Sequence, residues 1–204
     1  MAAPPLIDLL LVRSCRSEWD EASRLGGDCD IPAASRWGEE LDAALAGVDV
    51  GSITAVLCGP DEASQQTAGV LGRLIDRKPR VIEGLREVDL GLWEGQRLEA
   101  LQDRFPGAIK QWREDPSSVK APQGEAFEQA EQRLMAALAR SIEKLNGRAK
   151  RVAVVLRPLA FHVVRNHLHG RAMREGWDAA ACGPLPEGLR VARTALLAPQ
   201  RGAV

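Results

Sequence analysis

Apolar positions recur along this chain in two periods, and two near-continuous apolar runs that each stop at an arginine organise the rest. Leu6-Ile7-Asp8-Leu9-Leu10-Leu11-Val12 has strand length and ends at Arg13-Ser14-Cys15-Arg16. Strands buried on both faces read this way, and in an open parallel sheet the loop past the carboxyl end of such a strand is where ligands sit. Arg151-Val152-Ala153-Val154-Val155-Leu156 is the second such run and ends at Arg157-Pro158.

Helical spacing fills the intervals. Ser35 stands where it would cap a helix carrying Leu41, Ala44, Leu45 and Val48, and Ile53 to Leu57 follows as a short β-rich run. Strand, crossover helix and strand of these lengths predict a right-handed βαβ unit. Beyond Cys58-Gly59-Pro60-Asp61 comes a helix with Thr67, Val70, Leu71, Leu74 and Ile75 predicted inward, then a short strand at Val81-Ile82. Leu85 to Gly95 mixes glycine and polar residues, which predicts a shaped loop, with a helix at Leu98, Leu101 and Phe105 behind it. The segment from Phe105 to Gly124, with Pro106, Gly107, Pro116 and Pro122, reads as an irregular excursion over the sheet's upper edge. Ala130, Leu134, Leu138, Ile142 and Leu145 mark a further helix, capped by Asn146-Gly147. Leu159 to His169 is helical in pattern, with Val163, Val164 and Leu168 inward and Gly170 as its stop. Pro184 to Gly188 reads as a turn before a last strand at Val191 to Leu197. The expected fold is α/β, a three-layer α/β/α sandwich around a mainly parallel sheet.

Composition narrows the function classes. A length of 204 residues, 45% of them hydrophobic, fits one domain over 1–204 with a sizeable core. With 27 Lys plus Arg against 28 Asp plus Glu, the balance points neither to nucleic acid nor to an anionic membrane, so any anion site must be local. Cys15, Cys29, Cys58 and Cys182 form no C-x-x-C pair and no zinc-like spacing with histidine. Reduced thiols, the lack of a basic leader and an apolar amino-terminal run too short to span a bilayer place the protein in the cytoplasm. Trp19, Trp37, Trp112 and Trp177 are read as packing or surface-anchor residues. Nothing in the sequence fixes the oligomeric state, a homodimer included.

The order of motifs resembles the histidine phosphatase superfamily, also called phosphoglycerate mutase-like, from about Ile7 to about Gly170. Leu11-Val12-Arg13-Ser14-Cys15 stands where that family has Leu-Val-Arg-His-Gly, and Gly27-Asp28-Cys29-Asp30-Ile31-Pro32 is similar to its Gly-x-x-Asp-x-Pro stretch. Pro60 to Ala68 resembles the Pro-Leu-x-Arg-Ala element. Leu85-Arg86-Glu87-Val88-Asp89-Leu90-Gly91-Leu92-Trp93-Glu94-Gly95 follows the family's Leu-x-Glu-x-x-x-Gly-x-Trp-Glu-Gly. Pro122-Gln123-Gly124-Glu125 and Val154-Val155-Leu156-Arg157-Pro158 complete the series, the last in place of Val-Val-Ser-His-Gly.

The resemblance implies phosphoryl transfer through a histidine, held by two arginines and a second histidine, with a carboxylic acid for the leaving oxygen and no metal or other cofactor. Here the nucleophile's position holds Ser14, the second arginine's Ala63 and the second histidine's Arg157; Arg13 and the acid Glu87 are kept. A serine without an adjacent base is not nucleophilic, and His162, His167 and His169 stand at no motif position, His162 being expected to point away from the strand end. Cys15 beside Arg13 and Arg16 lacks the arginine a few residues on that a cysteine phosphatase loop needs. No catalytic residue set is therefore intact among the family positions Ser14, Glu87 and Arg157. Arg13 and Arg157 are the phosphate-binding candidates, Arg157 being read either as an anion ligand or as the partner of Glu87 or another carboxylate.

The expected function is that of a pseudophosphatase. It would be a binding or regulatory module for a phosphate-containing small molecule or a protein partner, with the excursion at about 105–124 lying over the former active site. Two alternatives are an active phosphomonoesterase or mutase using rearranged groups, and an interaction module that ignores the old pocket.

Overall fold

The computed structural model of the protein describes residues 6–145 and 151–196. Its sheet has the order β3-β2-β4-β1-β5, built from β1 (Leu6–Arg13), β2 (Ala55–Cys58), β3 (Arg80–Val81), β4 (Arg151–Leu156) and β5 (Leu185–Ala192). All pairings are parallel except that of β5 with β1. β4 lies between β1 and β2, so the first crossover passes over the place that a strand about 100 residues later fills.

The alternation of side chains along β1 and β4 divides the core. Leu9, Leu11, Val152 and Val154 face a cluster with α6 (Phe127–Glu143) and α7 (Pro158–His169). Leu10, Val12, Ala153 and Val155 face α2 (Trp37–Leu45) and α3 (Glu62–Leu74) on the other side. Helices thus cover both faces of a mostly parallel sheet.

Several elements differ from the pattern-based expectation. Ser35 does not cap α2; Arg36 takes that position without a side-chain bond to the helix backbone, while Asp61 caps α3 by accepting the Ser64 N–H at 2.8 Å. α3 turns small residues, Ala63, Ser64, Ala68 and Gly72, inward with Thr67 and Leu71, and leaves Leu74 57% exposed. The prolines at 184–188 do not make a turn: Leu185 begins β5, an edge strand, where a missing N–H points to solvent and costs no ladder bond. Residues 193–196 form a 3₁₀ turn rather than strand.

Residues 105–124 are irregular only in their later part, 119–124. Pro106 opens α5 (Pro106–Glu114) in the first helical turn, where a proline's missing N–H has no partner to lose. α5 follows α4 (Leu98–Arg104) and buries Ile109 and Trp112. Gly170 ends α7 in the left-handed conformation, φ 64°. The predicted Asn146-Gly147 cap lies outside the described residues. No helix among the described residues is long and apolar enough to cross a membrane.

Candidate functional site

In the parallel pairing of β1 with β4, Arg13 stands opposite Leu156, and the Ser14 N–H donates to the Leu156 carbonyl at 2.8 Å. The two loops that follow are therefore neighbours at the sheet's carboxyl edge. Beside them opens a cavity of about 320 Å³ whose walls include Arg13, Asp20, Glu87 and Arg157, with Trp112, Leu159 and Trp177 as apolar surface.

Of the residues singled out in the sequence, Arg13, Glu87 and Arg157 line this cavity and Ser14 does not. Ser14 has no exposed surface, and its hydroxyl donates to the Cys15 carbonyl at 3.2 Å. Cys15 is likewise buried, its Sγ 3.0 Å from the Thr67 hydroxyl and 3.5 Å from the Ala63 carbonyl, and burial raises the thiol above its ordinary pKa. A thiol held neutral in this way is not a nucleophile near neutral pH. Arg13 donates from Nε to Gly183 O at 2.6 Å and from Nη2 to Cys182 O at 3.0 Å.

Arg157 takes Asp20 as its ion partner, Nη1 to Oδ2 at 3.2 Å, while its Nη2 donates to Ser17 Oγ at 3.2 Å. The same Asp20 oxygen accepts from the Ser17 N–H and hydroxyl, each at 2.7 Å, in a capping box on α1 (Glu18–Glu21).

Glu87 reaches the first turn of α7. Its Oε2 accepts the Leu159 N–H at 2.8 Å, and its Oε1 accepts those of Ala160 at 2.6 Å and Val88 at 2.8 Å. The carboxyl fills the anion position that the α7 amino terminus offers. Burial pushes it up to about 7, against the pull of Arg157 and of the three amides.

A carboxyl whose folded value lies above its unfolded one contributes full stability below the unfolded value, and that stability is lost as pH rises towards the folded value. The stability difference between wild type and Glu87→Gln cancels the other carboxylates. It is expected to fall by about 3 kcal/mol between pH 4.5 and 7 and then to level off, as read by urea denaturation. A difference that rises over this interval would refute the assignment.

The three histidines are committed elsewhere. His162 is buried and lines the cavity wall instead of pointing away from the strand end; its Nε2 meets the Met173 carbonyl at 2.5 Å and its Nδ1 the Arg165 guanidinium at 3.1 Å. Burial lowers its pKa, so the ring is neutral, with Nδ1 accepting from Arg165 and Nε2 donating to Met173. His167 pairs with Glu131, and His169 with Glu187 at 2.7 Å.

Asp20 was not singled out by sequence, although Ser17-x-x-Asp20 is a helix-start signature. Arg133 was missed as well: it donates to the carbonyls of Gly84, Arg86 and Glu87 and pairs with Glu125, so α6 fixes the loop that carries Glu87. Glu94 ties that loop to residues 28–29, accepting from the Asp28 N–H at 2.8 Å and the Cys29 thiol at 3.0 Å. Residues 106–114 contribute Trp112 and Arg113 to the cavity wall, Trp112 packing edge-on against Trp93, Phe127 and Trp177. Among the described residues no cluster of three or more His, Cys, Asp or Glu side chains suited to a metal ion occurs.

The family model for the histidine phosphatase superfamily (branch 1) matches residues 9–183, and the chain belongs to that superfamily. Phosphoserine phosphatase 1 of Hydrogenobacter thermophilus is 22% identical over 122 residues, 60% of this chain and 58% of that protein. A probable phosphoglycerate mutase GpmB of Klebsiella pneumoniae is 23% identical over 138 residues, 68% of this chain and 64% of that one. The matches thus span less than two thirds of these relatives' length. A phosphoglycerate mutase from Bacillus anthracis has the same fold, with a TM-score of 0.76 at 16% identity over 93% of this chain and 90% of its own. A mycobacterial glucosyl-3-phosphoglycerate phosphatase gives 0.72 at 19% identity over 91% and 90%.

Proposed function

We propose that this chain is a pseudophosphatase of the superfamily, a cytoplasmic binding or regulatory module whose cavity receives a small molecule or a segment of a protein partner without turning over a phosphate ester. The observation that carries the reading is the state of Ser14: fully buried, bonded to its own neighbour's carbonyl, and without a histidine to activate it, since each imidazole has other partners. Magnitude then decides. Enzymes accelerate phosphate-monoester hydrolysis by up to about 10²¹-fold, whereas a site that has lost its nucleophile keeps roughly 10³ to 10⁴ over water.

Assayed with p-nitrophenyl phosphate and a phosphosugar panel, wild type and Ser14→Ala are expected to be equally silent. Turnover that scales with wild-type protein and disappears in Ser14→Ala would overturn the proposal. Ser14→His alone is expected to remain inactive, because Ala63 and the Asp20-paired Arg157 leave no second cation and no second imidazole for the transferring group. Detection of a phosphohistidine in that variant would contradict this. The competing reading, an active phosphomonoesterase or mutase with rearranged groups, draws support from the phosphatases and mutases among the relatives and from Glu87, a carboxyl that titrates near neutrality at the cavity, and fails by the same silence.

A further inference from the structure

We propose that Asp20 is a built-in anion that sets the specificity of the cavity, turning it away from phosphoryl dianions and towards ligands whose inner end is uncharged. The inference rests on the reading of the cavity as a binding site and adds the kind of ligand it takes.

Arg157 is 3% exposed and both of its terminal nitrogens are committed, one to Asp20 at 3.2 Å and one to Ser17 at 3.2 Å. Asp20 is itself shielded, its side chain 11% exposed, and is fixed by two further hydrogen bonds of 2.7 Å from Ser17. The second cation, Arg13, lies within the field of the same carboxylate and spends two of its nitrogens on the Gly183 and Cys182 carbonyls. Arg157 is thus neutralised by Asp20, and Arg13 is held by two carbonyls. A dianion directed at Arg157 would have to expel a carboxylate that cannot move without breaking the α1 capping box.

The rest of the wall offers the faces of Trp112, Trp177 and Leu159, with the exposed Arg24, Glu99, Arg113 and Asp178 carrying both signs of charge and Arg165 held by His162 and Gly176. That combination fits an apolar or aromatic body with a hydrogen-bonding but uncharged inner end.

The test uses inorganic phosphate as probe, at constant ionic strength made up with chloride. Titration calorimetry and thermal unfolding are compared for wild type, Asp20→Asn, and Asp20→Asn/Arg157→Ala. Wild type is expected to show no phosphate-dependent rise in Tm at millimolar phosphate. Asp20→Asn, with Arg157 unpaired, is expected to bind phosphate at least about tenfold more tightly and to gain Tm, and the double variant is expected to lose both effects. Equal phosphate affinity in wild type and Asp20→Asn would overturn the inference.

A second measurement needs no variant fold: the Arg157 Nε–H resonance of the wild type is expected to be insensitive to phosphate, and a saturable shift would refute the proposal. Ester turnover by the wild type bears on the non-catalytic reading, whereas this inference stands or falls on the affinity ratio.

Discussion

Arg157→Ala is expected to cost about 3–5 kcal/mol of folding stability, the range seen when one partner of a buried ion pair is removed. The guanidinium is the direct partner of Asp20 and one of the charges that hold Glu87 down, so its loss strands one buried carboxylate and pushes the other higher still. Ser17 loses a donor at the same time. Chemical denaturation at pH 7 measures the loss, and a change below about 1 kcal/mol would show that the pair is solvated in practice. The companion variant Asp20→Asn/Arg157→Met removes both charges and is expected to recover at least half of it, because most of the cost is the unpaired charge rather than the lost bond.

Gly91→Ala is expected to be of similar size, about 3 kcal/mol or more, for a steric reason. Gly91 has φ 49°, and a Cβ there would run into Pro122 O and lie 2.5 Å from Gly124 N. Those are backbone atoms that no rotamer change can move aside. The contact holds residues 89–93 on residues 122–125, with Leu92 N–H to Pro122 O at 3.0 Å and Glu125 N–H to Asp89 O at 2.9 Å. The same loop delivers Glu87 and Leu90 to the cavity, so displacement is also expected to lower the pH dependence assigned to Glu87. Gly107→Ala, with nothing within 4 Å of its added carbon, serves as the control and is expected to cause no loss. Equal Tm values for the two variants would refute the steric account.

The parts of this molecule that local pattern could reveal are those whose cause is local. β1, β4, the helix after β4 and its Gly170 stop follow from apolar runs and a single left-handed residue. The loop from Leu85 to Gly95 was legible as shaped because its glycines and mixed polarity argue against a regular element. β5 was misread because prolines signal a turn by themselves and an edge strand only once the neighbour is known. α5 was hidden by Pro106-Gly107, although a proline opens a helix as readily as it breaks one.

In the site, Arg13, Glu87 and Arg157 were legible, and Asp20 was not, because its meaning lies in a partner 137 residues away. His162 shows the same limit: the residues 173–177 that enclose the ring come from a loop without periodicity, so its place in the cavity wall was not legible.

The strand order has a consequence for how the chain comes to be folded. Among the described residues β1 pairs only with β4 and β5, which begin at 151 and 185. At a synthesis rate of about 5–20 residues per second, this strongly apolar strand waits on the order of ten seconds outside the ribosome with both edges open. Until residue 156 is made, the two arginines of the cleft have no common surface to stand on. The molecule therefore assembles late and through contacts of long sequence separation, and its opening strand is the segment that a chaperone has most reason to hold.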